Sequence, residues 1–459
     1  MEGISYKTHT DNQTLIQKAK NALPTREKSI IIEECLQSDF KFYQLSLNLL
    51  YEAISKGNPN DVASILGHLK LRDTIIQSSE AISYFFTEDA FLNIFCFSFY
   101  SSYQPLVLSA IEFLFYLIKG SKSVDSYVFN PQIIESFYFL YNLKDEQKNS
   151  FIFQIIDILS FRNPKETVIF WDLIKQSTNF GNIEYISHFI FNEIEMLFKI
   201  PNFNYDELFI LMCNIIKSFN IPAKSEIWMT IKKGIEMKHQ IFLNYFINQK
   251  FCKKLIKNTH SSLKCIQKDG FLVLTSFICR MKTNEVLEWK VFEIENILHL
   301  LNSTALEFVI INFLSEVVNW HPAVFLSIDN QSIYLLINLI LNKCNSSIFK
   351  IRDKSILLLS NSFSKNLFQD FFMENYKTIL PLFFESIKID IKNSQINIEN
   401  IYQLCDKLIA TGINQDEKIH IFTENDFDEI LQSLQDDNNN TEIAHKAQIL
   451  YDFIHSHVC

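Results

Sequence analysis

FDEILQSLQDDNNNTEIAHKAQILYDFI, residues 427–454, reads as one helix, an Asn-rich polar turn and a second helix. In the second helix Ile443, Ala447 and Tyr451 stand four apart, so they share one face with a small residue in its middle. The same face recurs upstream. An apolar residue, a small one four later, an apolar neighbour and another apolar three further on describe Leu106, Ala110, Ile111 and Leu114. They also describe Ile266, Gly270, Phe271 and Leu274, and again Ile351, Ser355, Ile356 and Leu359. Leu306, Ile310, Ile311 and Leu314 keep the apolar positions without the small one, while Ile396, Asn400, Ile401 and Leu404 place Asn in the notch. The first positions fall at 266, 306, 351, 396 and 443, in steps of 40, 45, 45 and 47. Such a period marks stacked helical units, each burying its apolar face against the next. Residues 427–454 then form the last unit of an array. Between 114 and 266 the pattern is weaker: Ile183 and Ser187 fit with His188 out of place, and Ile221 and Ser225 with Glu226.

The rest of the 459 residues agrees with a helical chain. Hydrophobic residues make up 48% and charged ones 20%, enough to bury a large core, and the 8 Gly and 9 Pro are too few for the turns of a closed β or nucleotide-binding fold. Apolar periodicity predicts helices over 38–56, opened by Asp39 and stopped by Gly57, and over 87–101, 103–120, 131–143, 146–161, 164–178 and 181–199. It continues at 204–219, 222–236, 240–257, 262–281, 285–300, 303–320, 330–343, 346–364, 376–390, 394–411 and 440–457.

Residues 427–454 resemble the final armadillo repeat of the importin alpha (karyopherin alpha) family. There a leucine–acidic–x–isoleucine helix runs into a leucine–glutamine pair, a polar turn, and then E-I-x-x-K-A. The matching residues here are Phe427, Asp428, Ile430, Leu434, Gln435, Glu442, Ile443, Lys446 and Ala447. Residues 351–383, IRDKSILLLSNSFSKNLFQDFFMENYKTILPLF, similarly resemble an armadillo repeat whose third helix ends in Ser360 and Asn361, followed by the next unit at Ile379, Leu380, Pro381 and Leu382. The resemblance implies a right-handed α-solenoid of armadillo/HEAT-like repeats, whose period the steps match, and a nuclear-import adaptor-like role. In that family Trp–x–x–x–Asn pairs line a groove: Asn amides bond a peptide backbone and Trp faces stack on lysine stems. Asn361 takes an Asn place here, with Leu357 in the Trp place. The other pairs read Leu272 and Ser276, Asn312 and Glu316, and Tyr402 and Asp406, so Trp171, Trp228, Trp289 and Trp320 all miss the columns. The resemblance carries over the fold and, of the groove residues, Asn361.

Charge points to partners. The net charge is −10, yet residues 230–268 hold nine lysines and one acid, Lys250, Lys253, Lys254 and Lys257 among them. Residues 414–442 hold nine acids and one lysine. Each is a solvated face or a docking site, the first for an acidic partner segment and the second for a basic one. An acidic chain without Arg clusters argues against nucleic acid. Residues 90–111 carry no charge, but Asn93, Gln104 and Pro105 interrupt them, so two core helices and no membrane span are expected. Nine scattered cysteines without a C-x-x-C pair read as reduced thiols of a cytoplasmic or nuclear protein.

No P-loop, G-x-G-x-x-G, H-E-x-x-H or G-x-S-x-G occurs. His455, His457 and Cys459 sit at the end of the sequence with no fourth ligand nearby. The expectation is one repeat domain over 1–459, with an irregular cap at 1–37, repeats at 38–423 and a capping repeat at 424–459. It is expected to be a non-catalytic protein-binding scaffold without cofactor, metal or small-molecule substrate, taking extended or helical segments of protein partners at Lys250, Lys253, Lys254, Lys257 and Asn361. The alternative is a structural subunit of a larger stable assembly.

Overall fold

The computed structural model describes residues 25–71, 76–77, 79–177, 182–237, 243–244, 251–280, 293–389, 391–411, 427–435 and 441–458. Among the described residues every regular element is a helix, and there is no strand. Contacts gather into two compact units, residues 1–227 and 228–459, within the span expected to be one repeat domain.

The helices of the first unit begin with α1 (Thr25–Ser55), α2 (Pro59–Leu69), α3 (Ser79–Phe85), α4 (Glu88–Phe99), α5 (Gln104–Gly120), α6 (Asp125–Val128) and α7 (Pro131–Asn142). Then come α8 (Glu146–Arg162), α9 (Pro164–Thr167), α10 (Trp171–Gln176), α11 (Ile183–Leu197) and α12 (Tyr205–Lys217), and the division between the units falls within α13 (Ile221–Glu236). One row runs α2, α5, α8, α11, each helix packed on the next, and beside it α1 packs on α4 and α4 on α7. Charge-free residues 90–111 divide between α4 and α5, with Pro105 in the first turn of α5 where its missing N–H costs nothing. No helix among the described residues is long and apolar enough to cross a membrane.

The second unit holds α14 (Phe251–Thr259), α15 (Lys264–Arg280), α16 (Ile294–Leu301), α17 (Glu307–Trp320), α18 (Asn330–Lys343), α19 (Phe349–Ser364), α20 (Gln369–Glu374), α21 (Tyr376–Ile389), α22 (Ile391–Ala410), α23 (Phe427–Gln435) and α24 (Thr441–Val458). Its row is longer: α15 packs on α17, α17 on α19, α19 on α22 and α22 on α24. These are the five helices that carry the repeated face. Gly270, Phe271, Leu274, Ile310, Ile311, Leu314, Ser355, Ile356, Leu359, Asn400, Ile401, Leu404 and Ala447 are all buried; Ile396 and Tyr451 are half-exposed.

The notch has a physical reason at each site. A Cβ on Gly270 would lie 3.2 Å from the Thr259 backbone nitrogen, so glycine lets α14 approach α15. Ser355 turns its Oγ back to the Ile351 carbonyl at 2.7 Å, which satisfies the hydroxyl without a partner helix. Asn400 instead reaches across to α19, donating to both the carbonyl and the Oγ of Ser360 at 2.8 Å. Hydrogen bonds between neighbours repeat the sequence period. Lys70–Glu112, Asn130–Glu88, Ser187–Glu226, Ser360–Asn400 and Lys446–Glu399 are separated by 42, 42, 39, 40 and 47 residues.

The polar connections serve as caps. Asn58 Oδ1 accepts from the Asn60 N–H, Asn130 Oδ1 from Gln132, Asp145 Oδ1 from Gln147 and Lys148, and Asp329 Oδ1 from Ser332. Each satisfies amides that a helix start leaves open. Gly57, at φ +63°, ends α1 as its position predicts.

Several boundaries differ from those expected. Helix α1 begins at Thr25, inside the segment expected to be an irregular cap over 1–37. Helices α2 and α3 were not anticipated; α2 has only 11 residues, too few for a clear periodic signal, although Asn58 and Pro59 mark its start. The single helix expected over 164–178 breaks into α9, a 3-10 turn over Val168–Phe170, and α10.

Candidate interaction surface

The groove columns fall on the exposed side of the long row. Leu272, Asn312, Leu357 and Tyr402 are half-exposed, one each on α15, α17, α19 and α22. Tyr402 is covered on one side by Phe453 of α24, with ring centres 4.5 Å apart. Asn361 lies on α19 and retains only 8% of its surface. At the equivalent place Asp406 is exposed, and Ser276 and Glu316 are bonded to neighbours. Ser276 donates to Glu236 Oε1 at 3.0 Å. Glu316 Oε2 accepts from Trp320 Nε1 and from Cys279 Sγ, each at 3.2 Å. Burial, then the hydrogen bond to Glu316, push the Cys279 thiol up to about 12, which keeps it a protonated donor.

Of the lysines named from the sequence, Lys250 lies outside the described residues. Lys253 is on α14, and its side chain is not described. Lys254 is half-buried and Lys257 exposed on the same helix. Lys264 and Lys268, one turn apart on α15, are exposed as well. Within 414–442, residues 414–426 and 436–440 lie outside the described residues. Asp428 accepts from His455 Nε2 at 3.1 Å, and Glu442 from Gln395 at 2.8 Å.

In the first unit the break in the repeat pattern has become a charged bridge. His188 of α11 points Nδ1 at Asp157 Oδ1 of α8 (3.3 Å) and Nε2 at Glu226 Oε2 of α13 (3.0 Å). The hydrogen bond to Asp157, with that to Glu226, raises its pKa to about 10, so the ring is an imidazolium at neutral pH. Ser187 Oγ donates to the same Glu226 oxygen at 2.9 Å. Among the described residues no group of His, Cys, Asp and Glu is arranged to hold a metal ion.

Apolar side chains also stand in water. Phe161 at the end of α8 is 81% exposed and Phe219 between α12 and α13 is 98% exposed. Phe219 borders a pocket of about 390 Å³ walled by Ile183, Ile186, Leu211 and Ile215. Trp320 of α17 is 52% exposed. Sequence reading passed over Trp320 because it lies one helical turn beyond the Glu316 column; the i, i+4 spacing of the two was the available signal.

No protein-family model matches the chain, and no curated protein does. Among solved structures the chain is similar to the crystal structure of an engineered protein, with a TM-score of 0.64 and 13% identity over 90% of this chain and 99% of that one. A second engineered protein aligns with a TM-score of 0.39 at 14% identity, over 53% of this chain and 95% of that one. The first likeness is one of fold alone.

Proposed function

We propose that this protein is a non-catalytic protein-binding scaffold, a right-handed α-solenoid of armadillo/HEAT-like units. The exposed side of its long row takes an extended or helical segment of a partner protein. The observation that supports this most is the row itself. Five helices at one sequence period pack in succession, and each presents half-exposed side chains beside a buried notch. The partner is a protein met in the cytoplasm or nucleus. A nuclear-import adaptor-like role rests on the resemblance of 351–383 and 427–454 to importin alpha. With Leu272, Asn312, Leu357 and Tyr402 in the Trp column, such an adaptor holds its cargo by other contacts than a tryptophan ladder.

Lys254, Lys257, Lys264 and Lys268 favour an acidic segment at the start of the second unit. Reversing Lys250, Lys253, Lys254 and Lys257 to Glu abolishes capture of an acidic partner from the protein's own cells. Unchanged capture rejects the lysine site.

A second reading, a structural subunit of a larger stable assembly, is favoured by Phe161 and Phe219, whose rings would be covered there. Size-exclusion chromatography of native lysate separates the two. A scaffold elutes partly free, whereas a structural subunit elutes only in the assembly.

A further inference from the structure

The geometry points to a binding site for an arginine side chain of a partner protein, formed by Trp320 and Glu316 on α17. The inference deepens the scaffold reading and names the chemistry of one contact within it.

Glu316 is a half-buried carboxylate that no Lys, Arg or His neutralises among the described residues. Among those residues its hydrogen bonds come from the neutral Trp320 indole and Cys279 thiol, both to Oε2. Arg280, next to Cys279 on α15, directs Nη2 to the Glu236 carbonyl oxygen at 3.3 Å. A carboxylate partly withdrawn from water without a counter-ion attracts one.

Trp320 supplies the second half of the site. Its indole is tied at Nε1 to Glu316, which fixes the ring while 52% of the residue stays exposed. Among the described residues no cation stands over it. A pinned, solvent-facing indole beside an open carboxylate oxygen matches a guanidinium: the planar cation stacks on the ring and an N–H bonds Oε1. Lysine fits less well, because a compact ammonium cannot stack flat on the ring. Neighbouring Asn312 and Asn319, both half-exposed on α17, offer amides to the backbone that carries the arginine.

The full chain labelled with 5-fluorotryptophan gives four fluorine signals, one per Trp, and Trp320→Phe assigns that of Trp320. Titration uses a short glycine-flanked peptide with one arginine, and the same peptide with citrulline as the neutral isostere. A single contact of this kind binds in the roughly millimolar range. The Trp320 signal is expected to shift and saturate with arginine, stay still with citrulline, and need about tenfold more peptide in Glu316→Gln. The Trp171 and Trp228 signals, from buried rings, stay fixed and show that each variant is folded. A Trp320 signal that does not move, moves equally with citrulline, or responds unchanged in Glu316→Gln overturns the site. Loss of this response alone leaves the scaffold reading standing; that reading is tested separately, by partner capture and by protection of the long row.

Discussion

Asn400 of α22 holds Ser360 of α19 by two hydrogen bonds of 2.8 Å, one to the backbone carbonyl and one to the hydroxyl, and all these groups are buried. Ser360 Oγ in turn donates to Asn397 Oδ1, and Asn397 Nδ2 donates to Ser386 Oγ of α21 at 2.9 Å. Three helices are thereby joined through a polar chain whose members satisfy one another. Elsewhere in the row the notch residue is Gly270, Ile310, Ser355 or Ala447, and Ser355 turns its hydroxyl back to its own helix. Here an amide fixes the register of one unit against the next, because sliding α22 by one turn would leave the buried Asn400 amide without its acceptors.

Asn400→Ala removes both bonds to Ser360 and leaves a cavity in the buried notch. The expected loss is about 2 kcal/mol of stability, read by urea denaturation. Ser360→Ala costs less, since Asn400 keeps its bond to the carbonyl. The double variant loses less than the sum of the two, because the residues share one interaction.

Gly270→Leu drives a side chain into the Thr259 backbone, where even a Cβ would sit at 3.2 Å. Overpacking of this kind costs about 1–3 kcal/mol. Thermal melting reads the loss, and Gly67→Leu is the control, because nothing lies within 4 Å of a Cβ there.

His188→Leu tests the bridge between α8, α11 and α13. The folded-state pKa is raised to about 10 from an ordinary value of 6.5. The charged ring therefore stabilises fully below about pH 6.5, and its contribution fades as pH rises through about 10. Both carboxylates must stay ionised, so the contribution also falls at acid pH. Because the histidine is nearly half exposed, solvent screening holds the effect to about 1 kcal/mol. Chemical denaturation at a series of pH values should show the wild-type advantage largest near pH 6 and nearly gone at pH 10.

Phe161→Ser separates stability from association. The ring is 81% exposed, so its removal changes folding free energy by no more than about 0.5 kcal/mol. If Phe161 is covered in an assembly, the variant elutes as a smaller species in native lysate while its melting temperature is unchanged.

The fold was legible where packing leaves a periodic trace. The face Ile351–Ser355–Ile356–Leu359 gave α19, and its buried notch is the contact between helices. The short elements were not legible. Helix α2 is set by an Asn cap, Pro59 and its packing on α5, and α9 and α10 break where a 3-10 turn over Val168–Phe170 buries Phe170. The surface was less legible than the core. Asn361 was placed on the right helix from its register, but burial depends on neighbouring helices that no single segment reveals. Trp320 became visible as a candidate only when its indole was found tied to Glu316. His188 looked like a fault in the repeat, because its partners Asp157 and Glu226 lie 31 and 38 residues away in the sequence.

Hydrogen–deuterium exchange on the full chain, alone and with a partner captured from its own cells, tests the scaffold most directly. The account predicts slower exchange across α15, α17, α19 and α22, the helices of the long row. Protection confined to α16, α18 and α21, or absent while the partner stays bound, would contradict it.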